Sequence, residues 1–294
     1  MQRVRGELEA GAASIALTQD ERDEGFFLAC VSRPLEDCVV DARGMGLTES
    51  EFSAGEREVV FLAELERNER LTEDIHALRL RLLEPKQMRF TAGQFVNVEL
   101  PGSTEARTYS LANAPSQNGQ LDLIVNLRRG GRFSSLLSNE SALGSRFRVF
   151  GPFGQLRIRL SHRPIVLVAN GSGISPMLSM LTDLAEKGST RKVRLFFGVR
   201  AAEDLFALEQ LAEIGRAMPS FELVPVLSRE WPADWPGETG PLAAAIRRRV
   251  ASAVDHDAYL CGAPWCIEST LPVLLELGIR RRNVHFDLFT PAAR

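Results

Sequence analysis

A guanidinium, a phenol ring and a hydroxyl stand together in Arg107-Thr108-Tyr109-Ser110. In an extended chain the side chains alternate between faces. Arg107 and Tyr109 therefore share one face, and Ser110 takes the other or lies in a local bend. The set offers a fork for a phosphate, a flat ring for a planar ligand and a small hydroxyl for a ring nitrogen. Taken alone, the same residues also suit a solvated sheet surface. Further along, Gly130-Gly131-Arg132-Phe133-Ser134 puts two glycines before a short amphipathic stretch. That reads either as an anion site on backbone N–H groups at a helix start or as a plain hairpin turn. A third candidate is Asn170-Gly171-Ser172-Gly173-Ile174-Ser175-Pro176, between an apolar run and a helical pattern. Strand, glycine loop and helix in that order bring backbone amides up to a pyrophosphate. The dinucleotide fingerprint G-x-G-x-x-G is not met, since Pro176 holds its last position. Cys261, in Cys261-Gly262-Ala263-Pro264, closes another strand-like run.

The elements that must position these residues fall into two kinds. From Arg57 to about Phe153 the chain alternates with period two, as in Leu78-Arg79-Leu80-Arg81-Leu82, and turns interrupt it. Phe90–Phe95 and the Arg107 segment are read as further short strands, and Gly151-Pro152-Phe153-Gly154 as a turn into one last strand. Strands without intervening helices predict a small antiparallel barrel. From Pro164 the period changes. Ile165-Val166-Leu167-Val168-Ala169 is a continuous apolar run, expected for a strand buried on both faces. Further strands are expected at 193–197, 221–227, 258–260 and 283–289. Helices are expected from Pro176, through Leu205–Leu211, over Pro241–Val250 and after Pro264. This alternation predicts a parallel sheet with ligands at the carboxyl ends of its strands.

Composition excludes several functions. The chain has 294 residues and a net charge of −3, with 45% hydrophobic and 25% charged residues. Nothing in that balance calls for nucleic acid or a membrane surface as partner. No apolar run approaches the roughly 20 residues that span a bilayer. Residues 1–14 hold no apolar signal core, which makes a cytoplasmic location the default. The cysteines, Cys30, Cys38, Cys261 and Cys266, are too scattered for a disulfide framework, and neither they nor the four histidines form a metal pattern.

Residues 57–294 resemble the ferredoxin–NADP reductase family, in particular the reductase components of bacterial aromatic-ring dioxygenases and multicomponent monooxygenases. The resemblance rests on Arg107-Thr108-Tyr109-Ser110, Gly130-Gly131 with Ser134, Gly171 to Pro176 and Cys261 to Pro264. Gly198-Val199-Arg200, Asp204-Leu205-Phe206 and Phe289 also fit. It implies an antiparallel FAD-binding barrel followed by a parallel-sheet nucleotide-binding domain. Arg107 is implied to pair with the FAD pyrophosphate, Tyr109 to lie against the flavin or ribityl chain, and Ser110 to approach flavin N5. The amides around Gly130 and Gly131, with the Ser134 hydroxyl, would hold phosphates. Gly171, Gly173 and Pro176 would shape the nucleotide pocket, with Arg200 and Gly262 beside it. Cys261 would sit near the nicotinamide carbon, and Phe289 would cover the flavin face. The plainer readings are a small buried hydrophobe for Cys261 and C-terminal packing for Phe289. Asp287, two residues earlier, receives no acid role.

The first fifty residues are acidic, with ten acidic and five basic residues. Gly25 to Leu35 resembles the end of a plant-type [2Fe–2S] ferredoxin domain, with Cys30 as the fourth ligand, and Arg5 to Gly11 resembles the part after the third. That spacing puts the second and third ligands at Met1 and Val4, where no cysteine stands. A cluster needs four thiolates in the C-x4-C-x2-C…C arrangement, so none is expected here, and no other metal. The expected organisation is an incomplete ferredoxin-like segment over 1–47, the barrel over 48–160 and the nucleotide domain over 161–294. The expected function is hydride transfer from NADH to FAD, with electrons passing to an oxygenase or ferredoxin acceptor. NADPH is disfavoured because Arg200 is followed by Glu203 and Asp204 rather than by a basic cluster. The rivals are a flavin-bearing docking or regulatory subunit without turnover, and a cluster-less NADH:flavin or quinone reductase.

Overall fold

The computed structural model describes residues 2–9, 22–27, 32–41, 59–103, 105–127, 130–137 and 142–289. Met1 and Cys30, two of the positions compared with ferredoxin ligands, lie outside them. The chain divides into two units, Met1–Glu58 and Val59–Arg294. In the first, β1 (Gln2–Arg5) pairs antiparallel with β4 (Val39–Asp41), and β2 (Leu8–Glu9) with β3 (Arg33–Pro34). Val4 lies within β1 with its side chain exposed, and the Cys38 thiol lies 3.3 Å from the Glu7 carbonyl oxygen.

The second unit opens with six strands. They are β5 (Val60–Arg70), β6 (Ile75–Glu84), β7 (Phe95–Glu99), β8 (Ala106–Ser110), β9 (Gln120–Asn126) and β10 (Arg146–Phe153). They form one antiparallel sheet in the order β8-β7-β10-β5-β6-β9. The period-two pattern does what it predicts: Phe61, Ala63 and Leu65, then Leu78, Leu80 and Leu82, then Val96 and Val98 all turn into one core. A single antiparallel bridge, Leu111 to Leu123, closes the sheet on itself one residue past β8. Over Ala106–Ser110 no strand among the described residues therefore pairs with the second edge of β8. That is the seam where the Arg-x-Tyr-Ser stretch lies. Helix α1 (Arg132–Leu137) plugs one end of the core with Phe133 and Leu137.

The rest of the unit holds six parallel strands, β11 (Ile165–Asn170), β12 (Val193–Val199), β13 (Phe221–Leu227), β14 (Glu238–Thr239), β15 (Asp257–Gly262) and β16 (Val284–Leu288). Their order is β14-β13-β12-β11-β15-β16. On one face α2 (Ile174–Glu186) and α3 (Leu208–Ala217) pack with Leu167, Phe197, Tyr259 and Cys261. On the other, α4 (Leu242–Arg249) and α5 (Pro264–Glu276) cover Val166, Phe196, Leu260 and Val284. Ile75, Ala92, Ala112 and Ile124 of the barrel join the α2-side core, so barrel and sheet share buried surface. No helix among the described residues is long and apolar enough to cross a membrane.

Below the sheet, at the amino end of β15, Asp257 is only 2% exposed. Its carboxylate accepts from Arg191 at 2.8 Å, from Arg163 at 3.4 Å and from the Ser161 hydroxyl at 2.5 Å. The carboxylate thus ties the segment after the barrel to β15 and to the residue just before Lys192 and β12.

Three local expectations are corrected. Phe90–Gln94 is a turn rather than a strand, because the Thr91 N–H donates to the Gln94 side chain at 2.8 Å and Gly93 has φ +102°. Gly151-Pro152-Phe153 belongs to β10, and residues 154–160 form no strand, the Arg159 N–H donating instead to the Tyr259 hydroxyl at 2.8 Å and its carbonyl accepting from Arg191 at 3.1 Å. The helix expected through Leu205 starts at Leu208, after Ala207 at φ +58°. Phe206 is instead used edge-on against Phe197, with ring centres 5.4 Å apart.

Candidate functional site

At the barrel seam, the Arg107 guanidinium lies 3.4 Å from one carboxylate oxygen of Glu105, and Arg132, on α1, lies 3.2 Å from the other. Two guanidiniums converging on one carboxylate are the donor set that a pyrophosphate takes in the same way. The residues present therefore fit a dinucleotide phosphate. Arg132 was missed in the sequence because only the fold brings the start of α1 to the residue before β8. Tyr109 packs its ring on Phe133, centres 5.3 Å apart, and burial pushes its phenol well above the usual range, so it stays protonated. Ser110 is buried at the last position of β8. Gly130 has φ +75° with open space where a Cβ would stand, and Gly131 and half-buried Ser134 follow in the same turn. The helix there is six residues long, so its dipole is small beside the two guanidiniums.

The second cluster forms where β11 and β15 lie side by side while the chain leaves them in opposite directions. Such a switch point is where open parallel sheets bind ligands. Gly171 has φ +53° and nothing within 4 Å of a notional Cβ, which leaves room for a ligand. A Cβ on Gly173 would stand 2.3 Å from the Cys261 carbonyl oxygen, so only glycine lets this loop reach the end of β15. Pro176 is buried in the first turn of α2. Gly262, at φ +150°, packs against Asn170, and its carbonyl accepts the Phe289 N–H at 2.8 Å. The Phe289 ring is half-buried against the α2-side core.

Cys261 is fully buried on the same face. Burial, then the nearby Asp287 and Cys266, push its thiol well above the usual range, so it is neutral and no nucleophile. Asp287 is its register partner on β16. Asp287 is partly buried, and that burial raises its carboxyl to about 6. Only strand register could have revealed this pair.

Arg200 stands at the carboxyl end of β12. Its guanidinium is 3.3 Å from Asp204 and 3.4 Å from Asp74, and Asp204 foremost holds its charge firmly. Its carbonyl accepts the N–H groups of Arg229 at 3.0 Å and Glu230 at 3.2 Å. The sequence reading missed Arg229, because the neighbouring ends of β12 and β13 are far apart in the chain.

Comparison with known proteins agrees with this arrangement. The family description "Oxidoreductase FAD-binding domain" matches residues 62–158, and "Oxidoreductase NAD-binding domain" matches residues 167–271. The reductase component of propane 2-monooxygenase from Mycolicibacterium goodii is 30% identical, over 95% of this chain and 81% of its own length. The phenol 2-monooxygenase reductase component DmpP of Pseudomonas sp. (strain CF600) is 33% identical, over 100% of this chain and 83% of its own. The crystal structure of the Amycolatopsis cytochrome P450 reductase GcoB superposes with a TM-score of 0.78 at 31% identity. That match covers 99% of this chain and 87% of GcoB. The chain thus belongs to the ferredoxin–NADP reductase family and is an FAD-dependent NAD(P)H reductase, an electron-transfer oxidoreductase.

Proposed function

We propose that this protein takes hydride from NADH onto FAD and delivers the electrons to an oxygenase component, as the names of its relatives describe for them. The observation that carries this reading is the switch point of the parallel sheet, where the Gly171–Gly173 loop, Cys261-Gly262 and Phe289 meet. FAD, when bound, supplies the chemistry of accepting two electrons together and releasing them singly. The chain's own residues supply position and charge. Arg107 and Arg132 neutralise the pyrophosphate, with Gly130, Gly131 and Ser134 donating around it. Tyr109, held on Phe133, gives the ring system a rigid apolar wall, and Ser110 places a hydroxyl at its edge. Gly171, Gly173, Pro176 and Gly262 admit the nicotinamide nucleotide. Cys261 contributes a neutral, dry surface beside it, and Phe289 keeps water from the ring until the nucleotide enters.

NADH rather than NADPH suits the end of β12. Arg200 and Arg229 there stand among Asp74, Glu203, Asp204 and Glu230, an excess of negative charge that opposes a 2′-phosphate. These 294 residues also hold no [2Fe–2S] cluster in our reading. Of the four cysteines in the sequence, Cys261 and Cys266 are buried in the cores flanking the parallel sheet, which leaves too few thiolates. Steady-state reduction of an artificial acceptor is expected to show kcat/KM for NADH at least about tenfold above NADPH. Preference for NADPH, or about two irons per chain on metal analysis, contradicts the corresponding part of this reading.

A further inference from the structure

The ion pair between Arg200 and Asp74 joins the barrel to the nucleotide domain across 126 positions of sequence. Asp74 sits in the connection from β5 to β6, and that connection is firmly built. The Thr72 hydroxyl, nearly buried, accepts the N–H groups of Ile75 at 3.1 Å and Asp74 at 3.3 Å. The N–H groups of Leu71 and Thr72 return to the Ile75 carbonyl, and that of Leu127 donates to the Asp74 carbonyl at 2.7 Å. Leu71 and Ile75 pack into the core that contains Phe197 and Phe206, on either side of Arg200 in the chain. The backbone that carries Asp74 is therefore held beside the end of β12, where its carboxylate meets Arg200.

That place matters because of the sheet order. β12 adjoins the glycine-loop strand β11 on the side away from β15. In such sheets the end of the second strand meets the ribose of the adenosine half, where an acidic side chain suits a 2′-hydroxyl and a free arginine suits a 2′-phosphate. Arg200 is not free, since Asp204 holds its Nε and Asp74 its terminal nitrogen. Both partners of the Arg200–Asp74 pair are substantially exposed, so the bridge adds little to folding stability. Its consequence lies in the charge that it withdraws from an incoming phosphate.

We propose that Asp74, a residue of the FAD-binding barrel, is a positioning residue for coenzyme selection: acting through Arg200, it biases the site against an adenosine 2′-phosphate. The proposal rests on the assignment of NADH as the preferred coenzyme and adds a determinant that lies outside the nucleotide domain. The test uses holoenzyme carrying Asp74→Asn, Asp74→Glu, Arg200→Leu, or Asp74→Asn with Arg200→Leu, each checked for bound flavin absorbance. kcat and KM are measured with both nucleotides. Asp74→Asn is expected to raise the NADPH-to-NADH ratio of kcat/KM about tenfold, mainly through KM for NADPH, because a guanidinium released from one of its two carboxylate partners is available to the phosphate. Asp74→Glu should keep the wild-type ratio. In the Arg200→Leu background the Asp74→Asn change should move the ratio no further. A ratio within about twofold of wild type in Asp74→Asn, or an undiminished gain without Arg200, overturns the proposal. A wild-type preference for NADPH instead overturns the coenzyme assignment, and the shift caused by Asp74→Asn still decides the role of Asp74.

Discussion

Replacing Arg107 by alanine is expected to weaken FAD binding by about ten- to a hundredfold while the barrel stays folded. A charged hydrogen bond contributes about 1.5–3 kcal/mol, and the partial exposure of this guanidinium argues for the lower part of that range. The fold should survive because Arg107 lies at the open edge of β8, where its guanidinium bonds to the adjacent Ala106 carbonyl and to Glu105. Removing Arg132 as well should cost more than either change alone, since Glu105 is then left without either guanidinium and faces the phosphates as a bare carboxylate. Titration of apoprotein with FAD, followed by flavin fluorescence, measures both. An unchanged affinity in the double variant would show that the phosphates lie elsewhere.

The second large effect is on stability. Asp257→Ala is expected to destabilise the protein by about 3–5 kcal/mol, because it leaves the charge of a nearly buried Arg191 without its carboxylate. The Ser161 hydroxyl and Arg163 lose the same partner, so the segment between Gly154 and Pro164 should loosen from the sheet. Urea unfolding of the variant and the wild type measures the difference. Equal midpoints would show that the three donors find other partners and that Asp257 is not the anchor.

The sequence was most legible where one short stretch decides its own structure. Period-two alternation in β6 and the apolar run of β11 each set both strand and burial, because those patterns leave one arrangement that hides the apolar side chains. The glycine loop after β11 was legible for the same reason. What escaped notice was whatever depends on which strands become neighbours. Asp287 had no assigned role until register set it opposite Cys261. Arg132 reached the site only through Glu105, and Arg229 only through the adjacency of β12 and β13. Asp74 is the extreme case, since it meets Arg200 by the docking of a barrel turn. The missed helix start at Leu208 has a different cause. Tertiary packing of Phe206 on Phe197 outweighed the helical spacing of Leu205 to Leu211.

The central claim, that this chain is a working FAD-dependent NADH reductase and not a flavin-carrying docking subunit, is tested most directly by mixing the purified protein with NADH without oxygen in a stopped-flow spectrophotometer. The account predicts a yellow protein whose flavin absorbance bleaches within the dead time to seconds, more slowly in Cys261→Ala, and returns when an electron acceptor is added. A protein that binds FAD yet keeps its full flavin absorbance under excess NADH and NADPH would contradict it.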